Sequence, residues 1–189
     1  AEIEQREKVL EVAKKEARRP KLDGTTELYS RFLYFRYIVA LERPLILCEG
    51  KTDVVYLKAA IKQLAKKSIF NFPHDIDFFP FTRRVNDVMR IHDGTPALKN
   101  FIEHYGKSTD FKFQPKQHPV IVLLDNDKAA QDVILMLSGK FKKSGVTYDR
   151  NSTFIYHVVS NLYVVLLPKT QPNSPDNKIE DFFDQSVTA

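Results

Sequence analysis

The chain has 189 residues, of which 43% are hydrophobic, 28% charged and 12% aromatic. This composition is typical of a globular domain and excludes wholesale disorder and a coiled-coil rod. The formal net charge of +5 permits a nucleic-acid partner without requiring one.

Residues 1–43 predict a helical extension. The charge-dense stretch Glu2–Arg19 predicts one helix, which Pro20 ends, and Thr25 or Thr26 is the expected N-cap of a second. The second helix carries large apolar side chains on several faces, which is typical of a helix with more than one packing neighbour. We therefore expect it either to connect this domain to another or to cap the domain's own sheet.

The remainder, residues 44–189, alternates apolar strand-like runs with helical patterns. It predicts an α/β fold with a mostly parallel sheet flanked by helices. The predicted strands are 44–48, 76–81, 120–124, 154–159 and 162–167, and the predicted helices are 52–66, 95–105, 129–141 and 179–183. No apolar run approaches the roughly 18 residues that span a bilayer, so we expect no membrane contact. The single cysteine, Cys48, excludes an internal disulfide and favours a reducing, cytoplasmic location.

Acidic side chains follow the two most apolar early strands. Glu49 and Asp53 flank a Gly-Lys-Thr sequence after the first strand, and Asp125 and Asp127 follow the third. Because sites in parallel sheets lie beyond the carboxyl ends of the strands, we expect Glu49, Asp125 and Asp127 to converge. Converging carboxylates repel one another, and Mg²⁺ or Mn²⁺ with oxygen ligands removes that penalty. A phosphate ester is the natural substrate for such a site.

Each acid alone also has a purely structural explanation. Asp53 is placed to cap a helix or complement its dipole, and Asp125 and Asp127 are common turn residues. Gly50 is expected to allow a tight backbone bend. The sequence Gly50-Lys51-Thr52 resembles the end of a phosphate-binding loop, but that loop needs Gly at position 45, which is Leu. The metal-site interpretation therefore depends on acids from two strand ends meeting.

The sequences LILCEGKTD at residues 45–53 and VIVLLDND at residues 120–127 resemble the two signature motifs of a Toprim domain. These motifs are a Glu-Gly after the first strand and an Asp-x-Asp after a later one. The resemblance implies a Rossmann-like Toprim sheet and an activity such as that of the OLD-like nuclease branch. Glu49 then corresponds to the family's glutamate, a general acid/base or metal ligand. Asp125 and Asp127 correspond to its metal-binding pair.

The nuclease branch of the family implies further site residues. Asp53 is similar to the carboxylate that this branch places in the first helix, and Glu180 or Asp181 resembles its late acid. Together these acids would hold one or two Mg²⁺ or Mn²⁺ ions, with Lys51 neutralising phosphate charge beside them. The domain that carries a topoisomerase's tyrosine and the template-binding modules of a primase are not recognisable in the sequence. The resemblance therefore favours a metal-dependent nuclease in which water is the attacking group.

The upstream sequence Arg31–Phe35, continuing through Arg43-Pro44 into the first motif, is similar to the C-terminal extension of some bacterial retron reverse transcriptases. This resemblance implies that residues 44–189 are the catalytic Toprim effector of an antiviral defence system. Residues 1–43 would connect it to an upstream reverse transcriptase and its RNA/DNA product. We expect a nucleic-acid substrate, with a lean toward structured cellular RNA, and the oligomeric state stays open.

Two basic segments are the expected substrate contacts. Arg83, Arg84 and Arg90 follow the second strand and are placed to contact phosphates. Lys112 lies between Phe111 and Phe113, a pattern suited to stacking on unpaired bases, although these rings also suit anchoring of a loop to the core.

Other functions stay open at this point. In a phosphatase of the haloacid-dehalogenase type, Asp125 would be the nucleophile, and Glu180, Asp181 and Asp184 would be late metal ligands. That family follows its Asp-x-Asp with Thr or Val, whereas Lys128 follows here. A non-catalytic module that binds nucleic acid or a partner protein through the same scaffold is a second alternative, and a structural docking domain is a third.

Overall fold

The structure, a computed structural model, describes residues 23–67, 75–91, 94–105, 118–171, 174 and 176–183. Its helices are α1 (Gly24–Tyr34), α2 (Lys51–Lys66), α3 (Arg83–Met89), α4 (Thr95–Tyr105) and α5 (Lys128–Lys140). Its strands are β1 (Leu45–Leu47), β2 (Asp77–Phe78), β3 (Val120–Leu124), β4 (Ile155–Val159) and β5 (Leu162–Leu166). A π-helical turn covers Phe35–Val39 and a 3₁₀ turn covers Ile179–Phe182.

The strands form one five-stranded sheet in the order β2-β1-β3-β5-β4. β1 runs parallel to β2 and β3, and β3 runs parallel to β5, whereas β4 is antiparallel to β5. The predicted α/β fold with a mostly parallel sheet flanked by helices is therefore confirmed. β1 and β3, whose carboxyl ends carry the candidate acids, are direct neighbours.

One face of the sheet forms the core of the domain. Because the pleat sends every second residue to the same face, alternate side chains of the central strands are buried together. They are Leu45, Leu47, Val120, Val122, Leu124, Leu162, Val164 and Leu166. Leu98 and Ile102 of α4 and Val133 and Leu137 of α5 belong to the same buried cluster. The packed strands and helices fix the positions of the strand ends at the sheet's carboxyl edge.

The described part of the N-terminal extension packs in this same core. Leu33 of α1 and Ile38 of the π-helical turn are buried in the cluster that contains the central strands, and α1 packs against α3. The outer side of α1 leaves Leu28 and Phe32 70% and 52% exposed. The helix that Glu2–Arg19 predicts lies outside the described residues.

The N-cap of α1 differs from the prediction. The cap is Asp23, not Thr25 or Thr26, since the Asp23 carboxylate accepts hydrogen bonds from the backbone N–H groups of both threonines at 3.0 Å. A carboxylate that reaches two N–H groups satisfies more of the helix end than a threonine hydroxyl can.

The segment after α2 also differs from its predicted form. β2 contains only Asp77–Phe78 of the predicted strand 76–81, because Pro80 has no N–H for the strand ladder. The sequence pattern does not predict α3, whose seven residues are too few for a clear apolar period. Thr82 starts this helix by accepting a hydrogen bond from the Val85 N–H at 3.3 Å. Among the described helices, none is both long enough and apolar enough to cross a membrane.

Candidate functional site

Glu49 joins the ends of the neighbouring strands β1 and β3. Its Oε1 accepts a hydrogen bond from the backbone N–H of Asp125 at 3.0 Å, and its Oε2 accepts one from the Thr95 hydroxyl at 2.7 Å. The Glu49 backbone carbonyl accepts a third, from the N–H of Gly94 at 2.9 Å. The tips of β1 and β3 and the start of α4 therefore meet around one half-buried carboxylate.

Thr95 is a site residue that sequence reasoning missed. The Thr-Pro sequence at positions 95–96 predicts only the start of a helix, which is confirmed. The Thr95 side chain is also buried, with 7% of the residue exposed, and it points its hydroxyl at Glu49 across 46 positions of sequence. Nothing local in the sequence signals such a long-range hydrogen bond.

Asp125 is the carboxyl group on which the negative charges of the site converge. Burial raises its pKa, the charges of Glu49, Asp53 and Glu180 raise it further, and a hydrogen bond from the Ile179 backbone N–H opposes them. The resulting pKa is about 7, far above the ordinary aspartate value of 3.8. A group with this pKa is partly protonated at neutral pH unless a positive charge is supplied nearby.

The pKa of Glu49 is also raised, and burial is the main cause. The hydrogen bonds from the Thr95 hydroxyl and the Asp125 N–H lower this pKa, because they stabilise the ionised form. The charges of Asp127 and Asp53 raise it again. Acids from the ends of both strands thus influence one another electrostatically.

Asp53 and Glu180 are brought together by the packing of α2 against the 3₁₀ turn. The rings of Tyr56 and Phe183 lie 4.9 Å apart between their centroids. Burial raises the pKa of Asp53, a hydrogen bond from the Gly50 N–H at 2.9 Å lowers it, and the Glu180 charge raises it. The chain bends at Gly50 as expected, but its φ of −134° is extended, so this conformation does not require glycine.

Two of the predicted acids also have local structural roles. Asp127 is the N-cap of α5, and its Oδ1 accepts a hydrogen bond from the Ala130 N–H at 3.0 Å. Asp181 is exposed, and its Oδ2 accepts one from the Lys178 N–H at 2.7 Å, at the start of the 3₁₀ turn. Of the two late acids, Glu180 is the one whose charge raises the pKa of Asp125.

Buried asparagines attach the late turn, residues 176–183, to the end of β3. Asn126 and Asn177 exchange two backbone hydrogen bonds, at 2.9 and 3.0 Å. The Asn126 side-chain amide donates to the backbone carbonyls of Arg150 at 3.0 Å and Leu167 at 3.1 Å. The two backbone hydrogen bonds fix the segment that carries Glu180. Single asparagines give no periodic signal, so the sequence did not identify them.

The predicted basic residues are exposed or lie outside the described chain, except Arg90, which is half-buried. Lys51 is the exposed first residue of α2. Arg83 is exposed and lies 3.9 Å from the aspartate carboxylate one helical turn further on, and Arg84 is exposed beside it. Arg90 follows α3 in the left-handed conformation, with a φ of 56°. Lys112 and Asp184 lie outside the described residues.

The donor set fits a hard divalent cation in its chemistry. The acids supply only oxygen ligands, and burial together with neighbouring acids raises the pKa values of Glu49 and Asp125, a penalty that a bound cation would relieve. As the side chains stand in the described ranges, no group of three or more His, Cys, Asp or Glu residues is arranged to hold a metal ion. Binding would therefore require carboxylates to rotate toward a common point.

Neither a protein-family model nor a solved structure matches this chain. The fold and the candidate site together define the structural class of the chain. The described chain is an α/β domain whose mostly parallel sheet carries mutually interacting acids at its carboxyl edge.

Proposed function

We propose that this chain is a Toprim-like nuclease that uses Mg²⁺ or Mn²⁺ to hydrolyse phosphodiester bonds in nucleic acid. The observation that carries the proposal is the hydrogen bond from the Asp125 N–H to the Glu49 carboxylate, which joins the acidic motifs of two adjacent strands. The raised pKa of Asp125 supports it, because burial and the charges of several acids act on this one carboxyl group. A site of this charge suits a metal-assisted reaction at a phosphate ester.

The proposed roles of the acids follow from their positions. One or two divalent ions would be held by Asp125, Asp127 and Asp53, together with Glu49 and Glu180. When bound, such ions offset charge on the phosphate oxygens and make water more acidic.

Glu49 has the environment of a general acid/base. Burial raises its pKa above the ordinary glutamate value, and the Thr95 hydroxyl fixes one of its oxygens. Lys51 would add positive charge near the scissile phosphate. Arg83, Arg84 and Arg90 remain the candidate contacts to phosphates further along the substrate.

The biological setting follows from the retron resemblance. The proposed partners are an upstream reverse transcriptase and its RNA/DNA product, and the proposed role is that of the effector in an antiviral defence system. We lean toward structured cellular RNA as the target.

Cleavage of end-labelled RNA and DNA tests the nuclease directly. The parent chain is compared with Glu49→Ala, Asp125→Ala and, as a matched control, Asp132→Ala, which removes an exposed acid of α5. We expect cleavage only with Mg²⁺ or Mn²⁺, reduced about a thousandfold in the first two variants and retained in the control. Cleavage that persists in both site variants, or that proceeds in EDTA, would contradict the proposal.

A non-catalytic nucleic-acid-binding module is the second candidate. It is favoured by the engagement of the acids with the protein's own backbone, as in Asp53 with Gly50 and Asp127 with Ala130, and by the unassembled ligand geometry within the described ranges. Binding of nucleic acid without divalent-dependent cleavage of any RNA or DNA substrate would favour this candidate.

A further inference from the structure

A row of lysines follows one face of α2, starting at the end of the helix where the acidic site lies. The row consists of Lys51, Lys58, Lys62 and Lys66, all of them exposed. At 100° per residue the four positions fall within an arc of about 80°, and they span about 22 Å along the helix axis. The ion pairs found among the described residues include none of these four lysines. Their charges are therefore available to an external anion.

A groove runs beside this row, between α2 and the edge strand β2. Its rim carries Lys58, Lys62 and Lys66, and its floor includes Ile76 and Phe78. The ammonium nitrogen of Lys58 lies 5.3 Å from the centroid of the Phe78 ring. The groove thus combines cations along one wall with an aromatic ring in the floor.

The acids closest in sequence to the floor do not line the groove. Phe78 is aligned with Ile46 and Asp77 with Leu45, so the pleat directs Asp77 to the opposite face of the sheet. Asp75 is exposed and its carboxylate lies 4.0 Å from the Arg43 guanidinium. The described lining of the groove is therefore purely cationic and apolar.

A cationic wall beside an aromatic ring is the combination that recognises single-stranded nucleic acid. Lysines track the phosphates, while an unpaired base can stack on the ring; bases inside a duplex cannot reach it. The position of the row relates a bound strand to the acidic site, because Asp53 lies in the first turn of the same helix. A strand along α2 would have one end at the acidic cluster.

We propose that the α2 lysine row and its groove bind a single-stranded segment of nucleic acid and lead it to the acidic cluster. The identity of the strand as a substrate rests on the proposed nuclease function, whereas the binding itself does not. An acidic polypeptide is the competing occupant, and the experiment below distinguishes it.

Binding is measured in EDTA, so that cleavage does not contribute, by fluorescence anisotropy of a labelled oligo(U) strand and of an RNA duplex of equal length. The test variant is Lys58→Gln/Lys62→Gln. The matched control is Lys140→Gln/Lys142→Gln, which removes two exposed lysines near the end of α5. We expect the test variant to bind the single strand about tenfold more weakly, with a salt slope reduced by about 1.4, and the control to resemble the parent.

A second variant tests the aromatic floor. Phe78→Leu should weaken single-strand binding about fivefold or more while leaving duplex binding unchanged. Thermal unfolding of each variant confirms that it is folded before its affinity is compared.

Three results would overturn the proposal. They are equal losses in the test and control variants, tighter binding of duplex than of single strand by the parent, and binding of polyglutamate but not oligo(U) that depends on Lys58 and Lys62. The two proposals fail separately. Lysine-dependent binding without cleavage in Mg²⁺ would refute the nuclease alone, and cleavage with unchanged binding in the test variant would refute the groove alone.

Discussion

Glu49 Oε1 accepts a hydrogen bond from the backbone N–H of Asp125 at 3.0 Å, across 76 positions of sequence. The bond is possible because β1 and β3 are adjacent and parallel, so their carboxyl ends lie side by side. It makes the position of one acid depend on the backbone of the other. Changes at either residue should therefore affect both the stability of this edge and its charge.

Removing the Thr95 hydroxyl should weaken the site through Glu49. In Thr95→Val, the carboxylate loses a hydrogen bond that favours its ionised form, so the pKa of Glu49 should rise. The free energy of unfolding should fall by about 1–2 kcal/mol. Denaturant unfolding measures the second effect, and the acid limb of the pH–cleavage profile, shifted to higher pH, measures the first. Thr95→Ser keeps the hydroxyl and should behave like the parent; equal behaviour of Val and Ser would refute this role.

Asp125→Asn should stabilise the metal-free protein at high pH. The folded-state pKa of about 7 exceeds the ordinary value of 3.8, so the folded state holds the proton more tightly than the unfolded state. The stability that this group contributes is therefore complete below about pH 4 and is lost as pH rises through about 7. The Asn variant does not undergo this loss of stability. Its free energy of unfolding should therefore exceed that of the parent by an amount that grows with pH to about 1–2 kcal/mol. The difference stays this small because solvent screens a half-exposed carboxyl. Thermal unfolding in EDTA across this pH range measures it; an advantage that shrinks with pH would contradict the assignment.

In the parent chain, divalent ions should counteract the loss of stability that Asp125 causes as pH rises. Mg²⁺ or Mn²⁺ binds only ionised carboxylates, so the ion should raise Tm more at about pH 8 than at about pH 5. At a free concentration one hundred times Kd, the stabilisation is about 2.7 kcal/mol. Differential scanning calorimetry with and without the ion measures the shift. Asp125→Asn should lose most of it, and an equal shift in parent and variant would point to binding elsewhere.

Asn126→Ala should loosen the segments around Arg150 and Leu167 that its side chain joins. Asn126 is fully buried, and its side-chain amide donates to two backbone carbonyls that would lose their partner. We expect the free energy of unfolding to fall by about 2–3 kcal/mol, and amide hydrogen exchange to rise around Arg150 and Leu167. Asn151→Ala removes an exposed asparagine whose side chain, within the described ranges, bonds to nearby Asp149, and it should cost less than about 0.5 kcal/mol. Unchanged exchange around Arg150 and Leu167 in the first variant would refute this role of the Asn126 side chain.

The sheet and the meeting of its acidic tips could be predicted because the signals are local and repeated. The apolar runs Leu45–Leu47 and Val120–Leu124 predict central strands, and strands at the centre of a parallel sheet end at the same edge. Glu49 and Asp125 follow these runs directly. Their proximity therefore follows from strand order alone.

The parts that could not be predicted depend on single long-range contacts. Thr95 reaches Glu49 only because α4 returns to the end of β1 through the Gly94 N–H. The difference between Glu180 and Asp181 depends on how a short turn packs against α2, where the rings of Tyr56 and Phe183 lie 4.9 Å apart. Neither contact leaves a pattern in the sequence.

Binding of Mn²⁺, followed by electron paramagnetic resonance of the free ion, tests the central claim most directly. The parent should bind one or two ions per chain, and Mg²⁺ should displace them. Glu49→Gln and Asp125→Asn should each weaken this binding at least about tenfold, a loss of about 1.4 kcal/mol, while Asp132→Asn should not. A parent chain that leaves Mn²⁺ free, or site variants that bind it as tightly as the control, would contradict the account.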